Sequence, residues 1–330
     1  MEDNFDLITI GDSTIDTFIK IHDANVECDI NHEECKICLR YGDKIPVDSL
    51  ARGVAGNAAN VATASSKLGL KTAIYTNLGA DSEGELIKKT LEETGVSNEY
   101  IVVDPKMSSN SSVIIGFQGE RTALVYHQPW YYHLPNLAKS SWVYFTSISD
   151  SFINSNIVDE VAHYIDSSGA KLAFSPGTFQ IKANIKRYPK TLERCELLAC
   201  NVEEAKKILE IDIAQRVNVH DLLSKLHLLG PKIILITDGE EGSYVSDGGK
   251  VLKAGIFPSI IVEKTGVGDA YCAAFIAALF YGETIDEAMV WGTINASHVL
   301  QHMGPQAGQM KKEDLLRYRK TVPEMVAKTF

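Results

Sequence analysis

The chain has no excess of basic residues and no apolar run long enough to cross a membrane. It carries 32 lysines and arginines against 43 aspartates and glutamates, a net charge of -11. This balance argues against a nucleic-acid or anionic-membrane surface as partner. The longest apolar run, from Ala270 to Tyr281, is too short for a bilayer. Because the first residues are acidic where a signal peptide is basic, we expect a cytoplasmic protein that acts on small molecules.

Two common nucleotide-binding signatures are also missing. No G-x-x-x-x-G-K-[ST] stretch is present, so a P-loop does not cradle phosphate here. The first predicted strand, residues 7–11, ends at a single glycine, Gly11, without the G-x-G-x-x-G pattern of NAD enzymes. Because both signatures are missing, another arrangement of residues must bind any phosphate. No repeat or linker interrupts the chain.

Cysteine is sparse, with six residues, three of them close together. Cys28, Cys35 and Cys38, with His32, have the composition of a tetrahedral zinc site. The competing interpretation is a set of unligated thiols in a surface excursion. In a cytosolic chain of this size, free thiols or metal ligands are more typical than disulfides.

The most informative stretch is residues 265–269, Thr-Gly-Val-Gly-Asp, which opens an apolar helix. Glycines let backbone N–H groups converge on one point, and a helix N-terminus adds unpaired N–H groups and partial positive charge. Such a bend binds an anion, and Asp269 at its rim would accept a proton from a hydroxyl group. The alternative is an ordinary turn in which Asp269 only starts the helix.

Elsewhere, short apolar strands alternate with helices, which predicts a parallel sheet with right-handed crossovers. Polar residues follow several strands, where ligands bind in such sheets. Asn201 and Glu204 fit either a helix capping box or a site for hydrated Mg²⁺ near phosphates.

Five motifs in order resemble the ribokinase-like (PfkB) family of carbohydrate and nucleoside kinases. They are Gly11 with Asp16, residues 55–60 (Ala-Gly-Asn-Ala-Ala-Asn), Asn201 with Glu204, Thr237 with Gly239 and Gly242, and residues 263–269. The resemblance spans almost the full chain. It implies an α/β, ribokinase-like fold: a mostly parallel central sheet flanked by helices on both faces, with a small β lid.

The resemblance also implies a role for each matched residue. Asp269 would be the catalytic base, and the backbone of Gly266, Val267 and Gly268 the anion hole. The implied substrate-binding residues are Asp16, Gly56, Asn57 and Asn60. The implied nucleotide-binding residues are Asn201, Glu204, Thr237, Gly239, Gly242 and Asn295, with Glu204 holding Mg²⁺ through water. The lid would comprise residues 18–45 and 111–125, and the catalytic core residues 1–17, 46–110 and 126–330.

The expected reaction is transfer of the γ-phosphoryl group of ATP to a hydroxymethyl group of a small sugar, with Mg²⁺ and a homodimer formed through the lid. A nucleoside is the alternative acceptor, its base stacking on Tyr126, Trp130, Tyr131 or Tyr132. A non-catalytic ligand-binding regulator with the same fold is a further alternative. Glu263 and Lys264 depart from the family pattern of Asp-Thr. Members of the family often bind K⁺ beside this loop; here Glu263 could offer an oxygen to K⁺, whereas the positive charge of Lys264 opposes its binding. A structural Zn²⁺ at the cysteine cluster would stiffen the lid.

Overall fold

A computed structural model describes residues 4–29 and 35–330. Sixteen strands are present in this part of the chain: β1 Phe5–Ile10, β2 Thr14–Ile21, β3 Asn25–Cys28, β4 Cys35–Cys38, β5 Val47–Ala55, β6 Thr72–Gly79, β7 Ser97–Asp104, β8 Ser111–Phe117, β9 Glu120–Tyr126, β10 Ser140–Phe145, β11 Lys171–Phe174, β12 Cys195–Asn201, β13 Ile233–Thr237, β14 Ser243–Ser246, β15 Val251–Ala254 and β16 Lys328–Thr329.

The described helices are α1 Asn57–Lys67, α2 Ser82–Glu93, α3 Ile157–Ser168, α4 Thr178–Lys182, α5 Pro189–Glu193, α6 Val202–Ile208, α7 Val219–His227, α8 Val267–Phe280, α9 Ile285–Val299 and α10 Lys312–Thr321. Among these, no helix combines the length and the apolar character needed to cross a bilayer.

Ten strands form the central sheet, in the order β16-β15-β14-β13-β12-β11-β10-β1-β6-β7. The seven strands from β13 to β7 are mutually parallel, and β14, β15 and β16 add an antiparallel edge. This confirms the predicted mostly parallel sheet. The connecting helices bring the carboxyl ends of the parallel strands to one edge.

Helices cover both faces of this sheet, so its strands are apolar on both sides. Along β10, Val143 and Phe145 belong to the same core as α3 and α7, whereas Trp142 and Tyr144 pack in the core of α1, α8 and α9. This alternation follows from the two-residue period of a strand. Helix α8 is apolar all round because it is buried, and its alanines let α1 and α9 approach closely.

A separate four-stranded sheet has the order β5-β2-β8-β9. It contains Thr14–Ile21 and Val47–Ala55, and thus includes residues 14–17 and 47–55, which the sequence analysis grouped with the catalytic core. The strand β5 was missed because it is half-exposed and contains Gly53, Arg52 and Ser49, which weaken an apolar pattern. Strands β8 and β9 pair antiparallel as a hairpin within residues 111–126.

The cysteine-rich segment forms the two-stranded sheet β3-β4. Cys28 and Cys35 face each other across this pair and are joined by a disulfide. The expectation of free thiols or zinc ligands is therefore wrong for these two residues, because bonded sulfurs do not ligate metal. Cys38 is a free thiol, and His32 lies outside the described residues. No group of three or more metal-ligating side chains occurs in residues 4–29 and 35–330.

Candidate active site

A cavity of about 270 Å³ lies where β12 and β13 end and α8 begins. It brings together seven residues singled out in the sequence: Asn57, Asn201, Glu204, Thr237, Gly266, Gly268 and Asp269. These come from four segments separated by up to two hundred residues. Their convergence favours a ligand site over an ordinary turn in which Asp269 only starts the helix.

Asp269 lies in the first turn of α8 and is 7% exposed. Its two carboxylate oxygens accept hydrogen bonds from amides on α1: Oδ1 from Asn57 Nδ2 at 2.9 Å, and Oδ2 from Asn60 Nδ2 at 2.8 Å. Burial raises the pKa of Asp269 to about 6, and the two amides oppose that rise. The carboxylate is thus held in position by two hydrogen bonds, and its pKa lies close to neutral pH, which suits a general base.

Asn57 and Asn60 were predicted to contact substrate, yet both are engaged with Asp269. Asn60 is 3% exposed, and its Oδ1 accepts a hydrogen bond from Gln306 Nε2 at 3.3 Å. With both ends of its amide held by protein groups, Asn60 positions the carboxylate. Asn57 is more exposed and also lines the cavity.

The predicted anion site lies at the start of α8. Gly266 is the residue before the helix and has a φ of 78°, which favours glycine. A β-carbon there would lie 2.3 Å from Cβ of Pro305. The first N–H groups of a helix have no acceptor within the helix, and here Gly266, Gly268 and Asp269 line the cavity. Negative charge in this cavity is therefore stabilised by backbone N–H groups and by the helix dipole.

Asn201 and Glu204 form the capping box of α6. Asn201 Oδ1 accepts from the backbone N–H of Glu204 at 2.8 Å, and Glu204 Oε2 accepts from that of Asn201 at 2.9 Å. The structural role is confirmed, and both side chains also line the cavity. Within the described part of the chain, Glu204 Oε1 has no hydrogen-bond partner, so it can bind a hydrated cation.

A second cavity, of about 210 Å³, adjoins the first and shares Thr237 and Gly268 with it. Its walls include Gly239, Gly242 and Val267, as well as the apolar side chains of Ile256, Phe257 and Leu300. A flat apolar ring fits between these glycines and apolar side chains.

Asn295 differs from its prediction, because it does not line this second cavity. It is fully buried, donates from Nδ2 to the carbonyl of Ala270 at 2.9 Å, and accepts from the backbone N–H of Met310 at 3.0 Å. It ties α9 to α8. The α9 residues that do line the cavity are Thr293, Ala296, Ser297 and Leu300.

Asp16 lies on β2 and is 5% exposed, and burial raises its pKa to about 6. Its Oδ1 has no hydrogen-bond partner among the described residues, and neither does Nδ2 of Asn110, whose backbone carbonyl accepts from the N–H of Ile15 at 3.1 Å. A buried acceptor and a buried donor left unpaired cost free energy until a ligand or water pairs with them. Gly56 lets α1 approach these residues, since a β-carbon there would lie 2.6 Å from the carbonyl of Asp12.

Arg121 and Lys264, which the sequence analysis did not assign to the site, also line the Asp269 cavity. Arg121, on β9, donates a hydrogen bond to Thr265 Oγ1, and its Nη1 lies 4.0 Å from Glu263 Oε1. Its charge lowers the pKa of both Asp16 and Asp269. The sequence analysis assigned Arg121 only to the lid, because the contact of β9 with residues 263–265 depends on tertiary structure.

Comparison with known proteins finds kinases that are similar to this chain in sequence and in fold. The chain is 22% identical over 316 residues to an ATP-dependent 6-phosphofructokinase of Thermoanaerobacterium thermosaccharolyticum, covering 91% of this chain and 89% of the relative. It is 26% identical over 258 residues to a nucleoside kinase of Methanothermobacter thermautotrophicus, covering 76% and 79% of the two chains. The fold matches Arabidopsis thaliana ribokinase, solved with ribose and ATP, with a TM-score of 0.77, 21% identity, and 96% and 98% of the two chains covered.

The fold is thus ribokinase-like, as the motifs implied. Residues 17–312 match the family model of the pfkB family carbohydrate kinases. The chain belongs to the pfkB family of carbohydrate kinases and is a kinase.

Proposed function

We propose that this kinase transfers the γ-phosphoryl group of ATP to a hydroxymethyl group of a small sugar. The observation that carries the proposal is the fixed carboxylate of Asp269 beside the N-terminus of α8, in one cavity with Asn201 and Glu204. Phosphoryl transfer needs positioning and neutralisation of charge more than covalent work by the protein.

Each part of the cavity supplies one of these needs. Asp269 accepts the proton of the acceptor hydroxyl, while the N–H groups at Gly266, Val267 and Gly268 stabilise the charge on the transferring group. Glu204, whose Oε1 is free, would hold hydrated Mg²⁺, which neutralises phosphate charge when bound. The adenine ring would lie in the second cavity, among the glycines and apolar side chains.

The unpaired polar atoms support a polyhydroxylated acceptor. Each sugar hydroxyl both donates and accepts, so it can satisfy Asp16 Oδ1 and Asn110 Nδ2 together. The proposed acceptor site therefore lies at the junction of β2 and β8, reached by Arg121 from β9.

A nucleoside acceptor, as in the similar nucleoside kinase, receives less support from the aromatic residues. Trp130 and Tyr132 are buried in the core, where Trp130 Nε1 donates to Asn110 and the Tyr132 hydroxyl donates to Asp12. Tyr126 and Tyr131 are exposed. None of the four lines the Asp269 cavity.

The test is release of ADP on addition of ATP and Mg²⁺ to the protein with a panel of ribose, fructose, other small sugars, sugar acids and adenosine. We expect turnover with at least one sugar and at least tenfold lower kcat/KM with adenosine. Preference for adenosine would replace the sugar by a nucleoside. Tight binding without ADP release for any acceptor would contradict the catalytic proposal.

The surroundings of Glu263 do not favour binding of K⁺ beside this loop. Glu263 Oε1 accepts from the backbone N–H of Thr265 at 2.9 Å and from its hydroxyl at 2.7 Å. Lys264 Nζ, on the same loop, donates to Glu120 Oε1 at 2.8 Å. The carboxylate of Glu263 is thus already paired with two donors of Thr265 and lies near the guanidinium of Arg121. We therefore expect turnover in Na⁺ buffers to match that in K⁺ buffers.

Arg121→Met is expected to lower kcat about a hundredfold. The guanidinium lines the cavity that receives the transferring phosphoryl group, and a charged donor at such a site stabilises the transition state by about 2 to 3 kcal/mol. Arg121→Lys should recover part of the loss. Thr122→Ala, at the next residue of β9, is the control, because Thr122 is exposed and does not line the Asp269 cavity. A loss shared equally by Arg121→Met and Thr122→Ala would assign the effect to the hairpin and not to the charge.

We also propose that the four-stranded sheet forms a homodimer interface. Leu50 on β5 is 64% exposed, and Leu124 and Tyr126 on β9 are 57% and 59% exposed. The strand register places all three on one face of this sheet. Exposed apolar side chains clustered on one small sheet indicate a docking surface. Light scattering should give twice the monomer mass, and Leu50→Lys with Leu124→Lys should give the monomer mass. A monomeric parent protein would contradict this assignment.

A further inference from the structure

A third cavity, of about 560 Å³, shares no lining residue with the Asp269 cavity. It is bounded by the last residue of α1, the end of α9 and one side of α10 with the residues just before it. Its charged walls are Lys67, Lys311, Arg317 and Asp314, and its polar lining includes His298 and Gln309. The proposed phosphoryl transfer uses none of these side chains.

The charge of this cavity is opposite to that of the whole chain. Three permanent cations face one carboxylate, in a protein whose net charge is -11. Arg317 forms an ion pair with Asp314 one turn away on α10, so that carboxylate is already neutralised. The lysines Lys67 and Lys311 have no such partner on the cavity walls, and they attract a small anion.

The two lysines are also close enough to affect each other. Burial lowers the pKa of Lys67, and the positive charge of Lys311 lowers it further. Within residues 4–29 and 35–330, the hydrogen bond of Lys67 Nζ goes to a neutral group, the carbonyl of Gln306, at 3.1 Å. An anion between the lysines would relieve their repulsion and give each ammonium a charged acceptor.

Gln309 adds a preference for a hydroxyl group. Its Nε2 is fixed by the carbonyls of Asn60 at 2.9 Å and Pro305 at 3.1 Å. Its Oε1 is buried and has no hydrogen-bond partner among the described residues. Because an unpaired acceptor is satisfied by a donor, the ligand should carry an O–H group as well as negative charge.

We propose that this cavity is a second anion site, which binds a small phosphate or phosphate ester carrying a free hydroxyl. Lys67, Lys311 and Arg317 bind the phosphate oxygens, and Gln309 accepts from the hydroxyl. The site is distinct from the α8 anion site, so two phosphate-bearing ligands can be bound at once. It is also connected to catalysis, because Gln306, whose carbonyl accepts from Lys67, donates to Asn60, which holds Asp269.

The test is calorimetric titration with inorganic phosphate and with glycerol phosphate, at constant ionic strength set by chloride. Saturating Mg²⁺ and a non-hydrolysable ATP analogue occupy the α8 site during the titration. We expect saturable binding that weakens at least tenfold in the double variant Lys311→Met, Arg317→Gln. Both side chains are exposed, so the fold should tolerate the change.

Lys320→Met is the matched control, since it removes one exposed cation from α10 outside the cavity. It should bind phosphate as the parent protein does. Equal weakening in the control and the double variant would show general charge attraction and overturn the site. Absence of saturable binding to the parent protein would overturn it as well. Kinase activity of each protein, measured separately, tests the proposed function independently of this result.

Discussion

Replacing Asp269 by asparagine should lower kcat about a thousandfold, while KM for the acceptor changes little. The amide cannot take the proton of the attacking hydroxyl, and loss of a general base costs about a hundredfold to ten-thousandfold in rate. The side chain keeps its size. Its oxygen can still accept from Asn60, and the amide of Asn57 can turn so that its oxygen accepts from the new NH2 group. The loss should therefore appear in the chemical step and not in the fold.

The measurement is steady-state ADP release, together with circular dichroism to verify the fold. Asp159→Asn is the control, because that carboxylate is exposed in the first turn of α3, away from the cavity. A kcat for Asp269→Asn within tenfold of the parent value would show that another group takes the proton.

The pH dependence follows from the same carboxylate. With its pKa raised to about 6 by burial, Asp269 becomes protonated as the pH falls below 6, and kcat/KM should fall with it. The expected effect of rising pH on folding stability is opposite to its effect on kcat/KM. The folded-state pKa exceeds the unfolded value, so ionisation of Asp269 costs stability as the pH rises from about 4 to about 6. At pH 8, Asp269→Asn should unfold at higher denaturant concentration than the parent protein, and this advantage should vanish near pH 3.

The second large effect is expected at Gly266 and Gly268, the two glycines of the proposed anion site. Substitution of Gly266 should lower stability, whereas substitution of Gly268 should lower turnover. Gly266→Ala should lower the free energy of unfolding by about 2 kcal/mol or more, because it combines a φ of 78° with a contact of 2.3 Å to Pro305. At Gly268 a β-carbon meets no atom within 4 Å, so Gly268→Ala should fold as stably as the parent protein.

Turnover should nevertheless fall at least tenfold in Gly268→Ala. Gly268 lines both the Asp269 cavity and the adjoining apolar cavity, so the added methyl group occupies the space that the phosphate chain would cross. Denaturant unfolding and ADP release on the two variants separate the effects. Normal kcat and KM for ATP in Gly268→Ala would contradict this path for the nucleotide.

Much of the site was predictable because its parts are local. The capping box of Asn201 and Glu204 depends on a spacing of three residues, and the α8 anion site on five consecutive ones. Strand-helix alternation then placed these motifs at one edge of a parallel sheet. Each of these signals is set by neighbouring residues, so it can be read before the chain is folded.

The remaining features depend on contacts between distant segments. Asn57 and Asp269 are 212 residues apart, and nothing local indicates that the asparagine pairs with the aspartate. Asn295 was misassigned because its sequence does not distinguish an amide that faces a ligand from one that joins two helices. The cysteine spacing suits a thiol cluster as well as a disulfide, and only the register of β3 with β4 decides between them.

The support of Asn60 by Gln306 and Gln309 has a consequence for synthesis of the protein on the ribosome. These glutamines follow every parallel strand of the sheet in the chain, yet Gln306 donates to the side chain and Gln309 to the backbone of Asn60, which holds the proposed base. A nascent chain that has completed all the parallel strands still lacks this brace. The proposed catalytic centre should therefore remain inert until residues 306–309 have been translated and folded.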